Sequence, residues 1–194
     1  MDQDGRGDGL VIRPSLRGHL IVAMPPLIDE HFDRTVVLLL EHTESGALGA
    51  VLNRPGERRV ATVLEQWSDA TPPAVVYEGG PVETDSLIGL ALAGDATEHP
   101  GWAPAFDGIG TIDLALLPDE RPPELRGLRL FAGYAGWAAD QLEQELAAGA
   151  WAVADFVTDD AFGPEPASLW RSVLRRQGGQ LAWMANYPDE PARN

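Results

Sequence analysis

Two glycine-rich segments hold the residues best suited to chemistry. The first is Gly79-Gly80-Pro81, directly after the β-forming run 74–78. The second is Gly133-Tyr134-Ala135-Gly136-Trp137, between an expected strand at 128–132 and an expected helix at 138–148. A glycine-rich passage from strand to helix presents backbone N–H groups at a helix N-terminus, an arrangement that holds anions. Two glycines at a strand end form a similar nest. If the two segments meet, Asn53 and Arg54 supply polar lining to the pocket between them. Neither segment contains a Ser or Cys, which disfavours covalent catalysis at these turns. Both also have a purely geometric reading: glycines allow tight turns, with Tyr134 and Trp137 filling core or cleft.

The other titratable residues form no recognisable catalytic set. His19, His31, His42 and His99 lack the H-x-x-x-H and H-E-x-x-H spacings of zinc sites. His31 lies between Asp29 and Asp33, but a short turn capped by Asp29 accounts for both carboxylates, so no metal and no cofactor is expected. Glu41 and His42 are adjacent on a strand and point to opposite faces unless the strand bulges there. Asp159-Asp160 fits a solvated loop. Arg171 and Arg175 share a helix face, and in so acidic a chain arginines are expected to pair with carboxylates.

Composition narrows the function classes. The 194 residues carry a net charge of −16, with 14 basic residues that are all arginine. Such a field repels phosphate backbones, so direct nucleic-acid binding is disfavoured. Cysteine is absent, which excludes disulfides and thiolate chemistry. No apolar run reaches the roughly 18 residues of a membrane span. The opening residues lack the pattern of a signal peptide. A cytoplasmic protein follows, with one domain over 10–187, a disordered tail at 1–9 and a polar tail at 188–194.

Several elements are legible. Residues 16–24 alternate as a strand ended by Pro25-Pro26. Asp29 caps a single turn that tucks Phe32 inward. Residues 35–40 are continuously apolar, as in a central strand buried on both faces. Residues 47–53 return as a hairpin strand in which Gly49 marks a bulge or close approach. Val60, Val63, Leu64 and Trp67 space as a short amphipathic helix. Strands follow at 74–78, 85–93, 109–117, 128–132 and 151–157, with a loop at 94–108. A last helix spans 168–177 and stops at Gly178-Gly179.

Four of these segments resemble the YqgE/AlgH family of small bacterial proteins. They are residues 18–55, with AMPPLIDEHFDRTVVLLLEH and GALGAVLNRP; Gly79-Gly80-Pro81-Val82; residues 133–137 with 140–145; and the Leu169-Trp170 helix. Ala138-Ala139 departs from the family's usual glycine, and the connection at 118–126 is short. The resemblance implies an α+β fold of split, mixed or antiparallel sheets forming a pseudo-barrel with helices packed outside. It implies no reaction, although part of the family is named for transcriptional regulation. The expected function is therefore a non-catalytic binding or regulatory domain, serving a protein partner or a small anionic ligand. The alternative is an enzyme or sensor acting on such an anion.

Overall fold

The computed structural model describes residues 14–25, 29, 31–94 and 99–188. The expected tail at 1–9 lies outside them, as does the C-terminal tail beyond Pro188. The described residues form an α+β fold in which a curled, half-barrel sheet packs against helices.

The sheet begins with β1 (Leu20–Ala23), β2 (Val36–Thr43) and β3 (Gly46–Val51), which pair antiparallel in sequence order. Val36 to Leu40 are all buried, as the unbroken apolar run predicts. One face of β2 meets Trp170, Val173 and Leu174, and the other shares a cluster with Trp137, Leu142 and Trp151. Each such side chain contributes about 1.5–3 kcal/mol when buried. Gly49 marks a close approach, because a Cβ there would stand 2.6 Å from the Leu38 carbonyl oxygen. The β2–β3 register shifts between Leu39 and Glu41 at the same place.

β4 (Pro55–Arg59) leads into α1 (Val60–Val63), which a 3-10 turn at Glu65–Trp67 continues. The amphipathic segment thus breaks at Leu64, while Val60 and Trp67 still point inward. β5 (Val75–Glu78) and β6 (Val82–Leu92) follow. The stretch expected as a loop at 94–108 contains β7 (Trp102–Phe106), paired with β8 (Ile109–Ile112). Gly101, Pro104 and Gly108 mask its alternation.

β9 (Gly127–Ala138) is the shared strand. Its first half lies between β6, antiparallel, and β5, parallel. Its second half lies beside β3, with Gly49 opposite Ala135 and Gly46 opposite Ala138. The exchange of partners occurs at Gly133, whose φ of +69° bends the strand as only glycine does readily. The segment 133–137 is therefore not a strand-to-helix turn. Strand continues through it, and α2 (Gln141–Ala147) begins only after Asp140.

β10 (Trp151–Ala154) returns to pair with β1. The acidic segment after it forms α3 (Thr158–Phe162), not a solvated loop. Asp160 is 4% exposed and takes a bidentate ion pair from Arg176, at 2.7 and 3.0 Å. α4 (Leu169–Gln177) ends as expected at Gly178, but α5 (Gly179–Met184) starts immediately beyond. The two glycines, both at positive φ, make a corner between helices instead of a terminus.

Inside the curl, Arg129 is 1% exposed and lies 4.7 Å from the Tyr77 ring centre. Its guanidinium donates to the carbonyls of Pro72 and Gly163. Burial lowers the Arg129 pKa and raises that of Tyr77, while the attraction between the two groups opposes both shifts. The Tyr77 hydroxyl has no hydrogen-bond partner among the described residues.

Two predictions follow from this packing. Gly79→Ala should cost about 3 kcal/mol or more, because its Cβ would stand 2.2 Å from the Gly133 carbonyl oxygen. Gly136→Ala should stay within about 0.5 kcal/mol, since nothing lies closer than 3.5 Å to its Cβ. Urea midpoints at unchanged slope measure both. The second concerns Tyr77, which ionises more readily unfolded than folded because burial raises its pKa, so stability should fall as pH rises above about 10. Tyr77→Phe should flatten that fall and cost little at neutral pH, because it removes an unsatisfied hydroxyl. Thermal melts from pH 8 to 11 compare the two proteins.

Candidate functional site

The two glycine segments meet. Gly79 N–H donates to the Ala132 carbonyl at 2.8 Å, and the Gly79 carbonyl accepts from Val51 N–H at 2.9 Å. A Cβ on Gly80 would stand 2.2 Å from the Tyr134 carbonyl carbon, and one on Gly133 would stand 2.5 Å from the Gly80 carbonyl oxygen. Backbone packs on backbone, so these glycines are required by the fold itself.

Where β5 gives way to β3 along β9, the surface opens into a cleft of about 480 Å³. Gly80, Pro81 and Ala132 line its glycine side, and His31, Arg54, Arg58, Glu78 and Thr84 bring polar groups to it. Each has a local reason to be there. Asp29 Oδ1 accepts from His31 N–H at 2.8 Å, fixing the predicted turn. Arg54 is held at both ends: its carbonyl accepts from Glu78 N–H, and its guanidinium donates to the Asp33 carbonyl at 2.6 Å. Arg58 is exposed on β4. Two guanidinium groups and an imidazole thus line the cleft with one carboxylate, and the two arginines alone leave a local excess of positive charge. Arg54 also lines an adjoining hollow of about 300 Å³ with Asp33, Arg34, Asn53, Trp170 and Arg171.

The AlgH-like family model, DUF179, matches residues 20–182. The chain belongs to the AlgH-like family. A UPF0301 protein of Streptomyces coelicolor is 48% identical over 191 residues, covering 96% of this chain and 99% of that protein. One from Thermobifida fusca is 44% identical, with 94% and 97% covered. Among solved structures, the crystal structure of DIP2367 from Corynebacterium diphtheriae superposes with a TM-score of 0.82 at 31% identity, covering 90% of this chain and 93% of that one. The solution structure of AlgH from Pseudomonas aeruginosa gives 0.65 at 30% identity, covering 98% and 100%.

Within this AlgH-like fold the expected site residues separate into distinct roles. Arg54, Gly80 and Pro81 line the cleft, while Gly79 and Gly133 form its backbone hinge. Asn53 is a positioning residue: its amide donates to the Arg34 carbonyl and its oxygen accepts from Val36 N–H. The Tyr134 ring lies over Gly136. Trp137 is buried with Phe32 and Trp151, and both indoles donate to Glu145 Oε2, at 2.9 and 2.7 Å. His31 and Arg58 were not expected in the cleft. His31 comes from the Asp29 turn and Arg58 from β4, and no local spacing signals their meeting.

A larger cleft of about 760 Å³ lies on the seam between the ends of β2 and β3 and the β6–β8 strands. Leu40, Leu48, Leu87 and Ile112 line it, with Arg17, Glu41 and His42 among its polar groups. Leu16 N–H donates to His42 Nδ1 at 2.8 Å, so the ring proton is on Nε2 and reaches Glu143 at 2.9 Å. Both nitrogens of His42 are engaged in tying the N-terminal segment to α2. The bulge in β2 sends Glu41 to solvent, away from any acid–base pair with His42. No helix among the described residues is long and apolar enough to cross a membrane.

Proposed function

We propose that this AlgH-like protein is a cytoplasmic, non-catalytic binding domain whose Arg54–Gly80 cleft takes a small anionic ligand. The observation that carries this reading is the gathering of Arg54, Arg58 and His31 at one opening of a chain with a net charge of −16. Against that background field, a local basic cluster at a rigid backbone hinge is a specific place for a phosphate or carboxylate. A regulatory role through a ligand or protein partner is compatible with this charge distribution. Direct DNA contact over a broad surface is not favoured by it.

Thermal shift in a phosphate-free buffer, with inorganic phosphate, pyrophosphate and an adenine nucleotide as probes, tests the reading. At about 100 times its Kd a probe should add roughly 2.7 kcal/mol of stability. Arg58→Ala, at an exposed position, should weaken the shift without altering the unliganded melt. Arg54→Ala should abolish it. No shift with any probe, or one indifferent to both substitutions, overturns the proposal. Turnover of a bound probe would overturn its non-catalytic part.

A further inference from the structure

Among the described residues the curled sheet has three edges, and two of them are blunted. β4 carries Pro55, Glu57, Arg58 and Arg59 along its length. β7 contains Pro104, which has no N–H, and its register breaks between Pro104 and Phe106. The Arg17 guanidinium caps the Ala105 carbonyl at 2.6 Å, and Phe106 packs against Gly18 and Phe156. Charge, proline, register breaks and covering groups are the usual means by which a sheet edge is closed to other chains.

Among the described residues the third edge, β10, has none of these between Trp151 and Ala154; just beyond it the Arg176 guanidinium donates to the Asp155 carbonyl at 2.9 Å. Its sequence is Trp151-Ala152-Val153-Ala154, and its register with β1 runs unbroken from Leu20 opposite Ala154 to Ala23 opposite Trp151. The direction of its backbone groups follows from β1. Ala23 N–H donates to the Thr35 carbonyl, and the His19 carbonyl accepts from Leu39 N–H, so the odd residues of β1 face β2. Leu20 and Val22 therefore face β10, as does Met24, whose N–H donates to the Ala150 carbonyl. In an antiparallel ladder alternate residues bond to alternate sides. Ala152 and Ala154 are thus turned to β1, and the N–H and C=O groups of Trp151 and Val153 point outward. Val153 is 37% exposed, and Val157 just beyond is 43% exposed.

We infer that β10 is a dimer edge, pairing antiparallel with β10 of a second copy about a two-fold axis at Ala152. The sequence suits its own reverse. Trp151 then faces the partner's Val153, and Val153 the partner's Trp151, giving four backbone hydrogen bonds from the four outward N–H groups. Ala152 meets the partner's Ala152 in the close, non-hydrogen-bonded position, where Cα atoms stand about 4.5 Å apart and a methyl fits. Ala154 falls opposite the partner's Ala150, and the pairing ends there, because Arg176 already donates to the Asp155 carbonyl. No like charges face each other, although each copy carries −16 overall. A short uncharged strand is where two such acidic chains can approach. Their long-range repulsion makes pairing stronger as salt screens it.

Sedimentation equilibrium of the whole chain, in about 0.02 M and about 0.3 M NaCl, tests this. The expected result is a monomer–dimer equilibrium that shifts toward dimer with salt. Val153→Asp should weaken it by about tenfold or more, because a charge lands beside the axis, while Val153→Thr should preserve it. Amide exchange of the unaltered protein gives a readout free of any folding defect in a variant. Trp151 and Val153 N–H should exchange slower as concentration rises. A monomer under every condition overturns the inference. So does a dimer untouched by Val153→Asp, or exchange at these two amides that is independent of concentration.

Discussion

The contact between Gly79-Gly80 and Gly133-Tyr134 is the constraint from which the architecture follows. A strand pairs with one neighbour on each side, yet β9 has to serve two sheets. It does so by bending at Gly133 and releasing β5 just where β3 begins. The hand-over needs a backbone at hydrogen-bonding distance from both, and Gly79 supplies it through Ala132 on one side and Val51 on the other. Any side chain at the joint would separate the strands. The cleft beside it is the space left where β5 and β3 part company. Fold and candidate site therefore share one cause.

Arginine use explains why that cleft stands out electrostatically. Much of the positive charge is turned inward or onto aromatic faces. Arg129 lies by Tyr77, Arg121 sits 3.8 Å from the Trp67 ring centre and pairs with Asp69, and Arg34 and Arg171 flank Trp170. Arg176 neutralises the buried Asp160. A planar guanidinium stacks and forks in ways that an ammonium does not, which suits a chain without lysine to these positions. Most of the other described acidic residues meanwhile occupy the surface. Arg54 and Arg58 instead meet at one opening.

What was legible in the sequence was mostly local or strongly patterned. The buried run of β2, the Asp29 turn and the extent of α4 each depend on near neighbours, and each is found as read. β7 was hidden because glycines and Pro104 interrupt its alternation, while its partner β8 supplies the ordering. α3 was hidden because two adjacent aspartates suggest solvent, whereas Arg176, distant in sequence, makes burial of one of them tolerable. The glycines of 133–137 were recognised as special, but a glycine that bends a strand and one that ends it carry the same letter. Arg54 was reachable from sequence as a neighbour of the hairpin. Arg58 joins it through the way β4 folds onto β5, and His31 through the turn before β2, a meeting that no local pattern encodes.

The pairing of β1 with β10 has a consequence for synthesis. The two strands lie at opposite ends of the chain, with Leu20 opposite Ala154, and Trp170 closes over them by donating to the Ala23 carbonyl. A ribosome adding about 5–20 residues per second takes on the order of ten seconds to travel from one strand to the other. Throughout that interval the nascent β1–β2–β3 meander has its apolar faces made and its flank unfinished. Most of the polypeptide must be translated before the first strand is enclosed, so a prematurely terminated product would present the cell with sticky, incomplete sheet.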